Sequence, residues 1–139
     1  MNDFYEDCTP SEEEPYMCEQ HRSYFRAQLT HWRDFLVNES RRGHRQLHRE
    51  NSRVPDIIDQ VAENTSRNIA YINGQRSLLL IRQIDAALER IEDGSYGYCL
   101  QSEEEIGLRR LLAWPIATLS IEAQEELEYS YSHLQRKAV

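Results

Sequence analysis

Two long stretches of helical spacing, divided at Pro55, constrain the fold of this chain more than any other feature. In the first, Phe25, Leu29, Trp32 and Leu36 recur at 4-3-4 spacing, the seam along which one helix packs against another. Gly43 and Leu47 continue that register more weakly. With no proline between 16 and 54, the spacing predicts a helix of roughly 32 residues from Glu19, about 48 Å long. Pro55 restricts Val54 to extended conformations and ends that helix. Pro55-Asp56 then opens a second helix, with the acid near its positive end. There Ile58, Ala62, Thr65, Ile69, Ile72, Leu79, Ala86 and Arg90 fall close to heptad spacing, and Leu80, Ile84, Leu88 and Ile91 form a second stripe. Asp93-Gly94-Ser95 is a stop and turn signal.

Two long helices joined by a short proline-containing loop make an antiparallel hairpin. The expected fold is mainly all-α: a helical hairpin coiled coil over 16–93 with its tip near 51–60, and a small base module over 94–139. Residues 1–15 are expected to be a disordered acidic leader, broken by Pro10 and Pro15. The seam is aromatic near the base, at Phe25 and Trp32, and reduced to Gly43 higher up, so packing is expected to thin towards the tip.

Composition agrees with long solvated helices. Charged residues make up 29% of the 139 and hydrophobic residues 40%, with a net charge of −8. Seven acids and no Lys or Arg occupy residues 1–19, whereas residues 20–53 hold eight arginines. Arg41, Arg42, Arg45, Arg49 and Arg53, with His44 and His48, are either a solvated face or a surface for acidic or phosphate-bearing partners. Negative net charge and the lack of a groove-reading motif argue against direct DNA binding. Three unpaired cysteines, no signal peptide and no bilayer-length apolar run lead to the expectation of a soluble cytoplasmic protein.

The base module is dense in apolar residues, with Gly97, Gly107 and Pro115 placed for tight turns and a short ribbon. Ser120 reads as the N-cap of a C-terminal helix. Two C-x-x-C knuckles of a zinc ribbon would put ligands at 99, 102, 120 and 123. The residues there are Cys99, Ser102, Ser120 and Ala123. One thiolate remains, so no metal is expected, and burial of Leu112, Trp114 and Ile116 is expected to replace what a structural ion contributes.

With these residues read, the chain resembles the DksA/TraR family of bacterial transcription regulators across roughly 15–128. The carriers are Tyr16-Met17, Phe25-Arg26-x-x-Leu29-x-x-Trp32 and Pro55-Asp56-x-x-Asp59. They continue in Ile84-Asp85-x-Ala87-Leu88-x-x-Ile91-Glu92-Asp93-Gly94-x-Tyr96-Gly97-Tyr98-Cys99, Ile106-Gly107-Leu108-Arg109-Arg110-Leu111 and Ala117-Thr118-Leu119-Ser120-Ile121-Glu122-Ala123. The last phrase is similar to zinc-free members of alphaproteobacteria.

The resemblance implies a regulator that binds RNA polymerase and is no enzyme. Its base would contact the rim of the secondary channel, and its coiled coil would enter that channel. Tip carboxylates, here Asp56 and Asp59, would act near the active site, often together with the alarmone ppGpp. Val61 stands where the family has a small residue. Of the family's ppGpp-interface positions, one cation persists as Arg76, and Gln83, Trp114 and Gln124 replace the others. With those cations gone, ppGpp binding is expected to be weak or absent, because charge-assisted hydrogen bonds to phosphate are the strong ones. Arg109 and Arg110 are candidate polymerase contacts, one of them alternatively pairing with Glu103–Glu105. No nucleophile–base motif or phosphate loop is visible. An intramolecular hairpin already covers its own seam, so a monomer is expected. Two further readings stand: a polymerase-binding paralogue that lacks regulatory activity or competes with a sibling, and a coiled-coil scaffold outside transcription.

Overall fold

A computed structural model describes residues 9–50 and 57–137, with the side chains of 47, 50 and 57–59 outside that description. Four helices follow in order: α1 (Glu19–Glu50), α2 (Ile57–Asp93), α3 (Leu108–Ala113) and α4 (Ile121–Lys137). The first spans 32 residues and the second 37, so both long helices run as their apolar spacing requires. No strand occurs among the described residues. The expected ribbon shrinks to one antiparallel bridge between Tyr98 and Glu105. The architecture is all-α, and it divides into two compact units, residues 28–86 and residues 1–27 with 87–139. That division falls inside both long helices, whereas the sequence expectation cuts at 15/16 and 93/94.

Within 28–86, α1 and α2 run antiparallel. Arg33 Nε donates to Asp85 Oδ1 at 2.6 Å, and further along, residues 39–45 face 70–78 across an open groove of about 730 Å³. Leu29 and Ile84 are fully buried. Gly43, Ala70, Gly74 and Ser77 are among the residues lining it, and their small size leaves space unfilled. Packing therefore thins along this unit. The expected α2 stripe is corrected here: Ile69, Ile72 and Leu79 are each more than half exposed. The half-buried positions are Ala70, Gly74, Ser77, Leu80 and Ile81, leading to buried Ile84. Between 70 and 77 these positions are small residues, not the largest apolar ones.

The other unit is built around the start of α1 and the end of α2. Phe25, Ala87, Ile91, Tyr96 and Leu111 are at most 2% exposed. The Phe25 and Tyr96 rings meet with centroids 5.5 Å apart, and the Tyr96 hydroxyl donates to Pro115 O at 2.7 Å. Gly94, at φ +85°, closes α2, and Ser95 N–H and Oγ–H both donate to Asp93 Oδ1. Tyr16 joins chain segments far apart in sequence. Its hydroxyl donates to Gly97 O at 2.6 Å and accepts from Gly107 N–H at 3.1 Å. Of the expected core residues Leu112, Trp114 and Ile116, Ile116 is buried and Leu112 half-buried, whereas Trp114 is 48% exposed; Ile106, Leu108 and Leu111 complete the core here. Within residues 9–15, Pro10 is buried, Glu14 N–H donates to Ser11 O and Glu12 pairs with Arg109. Residues 1–8 lie outside the described residues.

Candidate functional site

The four knuckle positions converge. Cys99 is 2% exposed and opens a tight loop in which its N–H donates to Glu104 O and its carbonyl accepts from Glu103 N–H. Glu103 holds φ +60° in that loop. Leu100 N–H donates to Thr118 O at 2.9 Å, which brings the loop against the approach to α4. Burial pushes the Cys99 thiol up, but hydrogen bonds outweigh it and bring the group down to about 6. They come from the Ser102 side chain and from the backbone N–H groups of Ser102, Ser120 and Gln101. These donors stabilise the thiolate. Ser120 caps α4 as its sequence predicts, its Oγ accepting from Ala123 N–H at 3.3 Å. Ala123 is buried and offers no donor atom.

The candidate tip residues are placed unevenly. Asp56 lies outside the described residues, and Asp59 is a residue of α2 whose side chain does too. Val61 follows on α2 and is 66% exposed. The basic stretch of α1 is solvent-facing at Arg41, Arg42, Arg45, His44, His48 and Arg49. Arg42 pairs with Glu39 at 3.3 Å, and His44 and His48 approach at 3.1 Å between their Nε2 atoms. Arg53 lies outside the described residues.

In unit 28–86, Arg76 and Gln83 are exposed on α2. In the other unit, Gln124 is half-buried and donates to Glu128 Oε1 at 2.8 Å. Arg109 is open to solvent and reaches Glu12, at 3.4 Å, instead of the acids at 103–105. Arg110 is half-buried, with Nε donating to Leu119 O at 2.9 Å. It is thereby tied to the backbone just before α4, which leaves Arg109 the more available cation of the two.

The sequence reading passed over one constellation. Glu14, Cys18 and His21 each offer a donor atom, all within 4.8 Å of one another. The available signal was the C-x-x-H spacing of Cys18 and His21, masked by reading Glu14 as part of a leader.

Comparison with known proteins now bears on these sites. Residues 21–91 match the model of the DnaK suppressor protein DksA, N-terminal domain. Residues 94–129 match the prokaryotic dksA/traR C4-type zinc finger. The chain is 43% identical over 122 residues to the RNA polymerase-binding transcription factor DksA of Caulobacter vibrioides, covering 88% of this chain and 86% of that protein. It is 35% identical over 118 residues to the protein of that name from Escherichia coli K12, covering 83% and 78%. The structure of transcription factor DksA2 from Pseudomonas aeruginosa superposes with a TM-score of 0.79 at 36% identity, covering 89% of this chain and 94% of that one.

The match over 94–129 corrects the expectation of no metal. That module is matched as a C4-type zinc finger, and the match points to zinc. The expectation rested on the substituted ligand positions alone. Those positions supply one thiolate, two hydroxyls and a methyl group, whereas a closed zinc site takes four donors, chiefly sulfur and nitrogen. Cys99, Ser102, Ser120 and Ala123 do not complete such a set by themselves. In sequence along its length and in fold, the chain belongs to the DksA/TraR family.

Proposed function

We propose that this chain binds RNA polymerase and regulates transcription initiation, acting through the tip acids Asp56 and Asp59 in the polymerase secondary channel. The observation that carries this reading is 43% identity across 88% of the chain to a relative whose name states polymerase binding. The tip phrase Pro55-Asp56-x-x-Asp59 supports it. Asp56 and Asp59 are three residues apart in sequence, the spacing at which helical side chains share a face. The antiparallel pair of α1 and α2 within 28–86 forms an elongated carrier for such acids. Exposed Arg109 and the basic stretch of α1 provide complementary charge for acidic surfaces on the partner.

The reading needs no catalytic residue, and the chain is a regulator in place of an enzyme. Polymerase, not promoter DNA, is the partner. A monomer is the proposed acting form, because the two helices of one chain already pair with each other. Among the described residues no helix is long and apolar enough to cross a membrane, and polymerase binding puts the protein in the cytoplasm. A phosphate-rich effector such as ppGpp would meet one cation, Arg76, among Arg76, Gln83, Trp114 and Gln124, and so is expected to bind weakly at most.

One observation favours a second reading. Val61 is 66% exposed two residues beyond Asp59, a branched apolar group at a tip that works by charge. A chain so altered would occupy polymerase without regulating it, or compete with a sibling. Asp59→Asn separates the cases. The substitution is expected to abolish the effect on in-vitro transcription while polymerase affinity stays within a few-fold of wild type. If wild type binds without any transcriptional effect, the second reading holds. If affinity and effect fall together, the tip is an anchor and the proposed mechanism is wrong.

A further inference from the structure

The start of α1 carries a donor set that the polymerase reading does not use. Cys18 N–H donates to Pro15 O and Cys18 O accepts from Arg22 N–H, so Cys18 sits at the N-cap of α1, with His21 three residues in. Met17 holds φ +52°, and the turn through Tyr16 and Met17 returns Glu14 to the His21 ring. Glu14 is itself fixed by the Ser11 turn, its N–H donating to Ser11 O at 3.3 Å. Sulfur, imidazole nitrogen and carboxylate oxygen thus lie within 4.8 Å of one another. The closest pair, His21 Nε2 and Glu14 Oε2, is 3.0 Å apart.

A second observation is independent of this clustering. His21 is 0% exposed, and its Nδ1 has no hydrogen-bond partner. Buried polar atoms are almost always matched, and an unmatched one calls for a missing water, ion or special role. The Glu14 contact falls on Nε2 and leaves Nδ1 unmatched, so the protein around the buried ring does not satisfy it fully.

The chemistry selects the ion. One sulfur, one nitrogen and one oxygen donor suit borderline metals, above all zinc, and not calcium or magnesium, which take oxygen shells. Tetrahedral zinc bonds of about 2.0–2.3 Å put donors roughly 3.3–3.8 Å apart. The group closes to that geometry by a side-chain adjustment of about 1 Å, and Glu14 and Cys18 are only half-buried. Charge balances as well. A divalent ion with thiolate, carboxylate and neutral imidazole is net neutral. The positive end of α1, which would repel a bare cation, therefore opposes the complex little.

We propose that Glu14, Cys18 and His21 bind one zinc-class divalent transition ion at the start of α1, at a site separate from the Cys99 knuckle. Three protein donors leave the fourth position for water. The ion would clamp residues 14–18 to α1. That segment also carries Tyr16, whose hydroxyl spans Gly97 and Gly107.

Cobalt(II) titration of the full chain, stripped of metal and kept reduced, tests this. Wild type is expected to bind with a thiolate-to-cobalt charge-transfer band that zinc abolishes. Cys99→Ser and Cys8→Ser are expected to keep that band, and adding Cys18→Ser to the Cys99→Ser background is expected to remove it. A band that survives in the Cys18→Ser/Cys99→Ser double variant, or no band in Cys99→Ser alone, would overturn the proposal. A second measurement needs no variant: maleimide labelling mapped by mass spectrometry, with and without zinc. Zinc is expected to slow modification of Cys18 at least tenfold, and an unchanged rate at Cys18 contradicts the site. Either failure leaves the polymerase reading untouched, because no step of that reading passes through this ion.

Discussion

Phe25→Ala is expected to destabilise the fold by about 3–5 kcal/mol, the range for removing a fully buried aromatic ring. Phe25 is 0% exposed, and its ring lies 5.5 Å from that of Tyr96. The loss has two sources: the apolar transfer energy of the ring and the void left behind. Collapse into that void is restricted, because Tyr96 is pinned through its hydroxyl to Pro115 O. A small domain has only about 5–15 kcal/mol in total, so the variant should be almost wholly unfolded at the wild-type melting temperature. Urea denaturation monitored by circular dichroism reads this directly. A loss below about 1 kcal/mol would mean that Phe25 is not part of a close-packed core.

Gly97→Ala should cost about 2–5 kcal/mol for two reasons that add. Gly97 holds φ +92°, a region that costs an L-residue about 1–2 kcal/mol. A methyl group there would also meet Met17 Cγ at 2.7 Å and Sδ at 2.8 Å, and forcing extra volume into a packed site costs about 1–3 kcal/mol. Gly94 is the control. Its φ is +85°, but nothing lies within 4 Å of a Cβ built there. Gly94→Ala should therefore show the backbone cost alone. Shortening the neighbour, as Met17→Ala in the Gly97→Ala background, should recover part of the difference. Equal losses at both glycines would show that Met17 does not press on Gly97.

What was legible in the sequence followed local rules. The start of α1 at Glu19, the end of α2 at Asp93 and the Ser120 cap are set by caps, glycine and seam spacing within a few residues. The facing stripe of α2 was not legible above Leu80. There the residues turned to α1 are Ala70, Gly74 and Ser77, while Ile69, Ile72 and Leu79 face solvent. Size alone misleads where two helices approach without filling the space between them. Trp114 failed for a related reason: composition marked it as core, but the turn at Pro115 turns that volume over to Ile116 and Ala117.

The site was legible in unequal parts. The knuckle positions were visible because their spacing survives the loss of thiols, and the structure brings them around Cys99. The metal expectation failed because it weighed the four positions and not the module as a whole. The Glu14–Cys18–His21 group was hidden because its geometry depends on a left-handed Met17. No residue preference announces that conformation, since a non-glycine residue adopts it seldom.

Direct titration of bacterial RNA polymerase into labelled chain tests the central claim most closely. Saturable binding at about one chain per polymerase is expected, with displacement by the Caulobacter vibrioides relative, whose name states polymerase binding. No saturable binding, or binding that the relative fails to displace, would contradict the account.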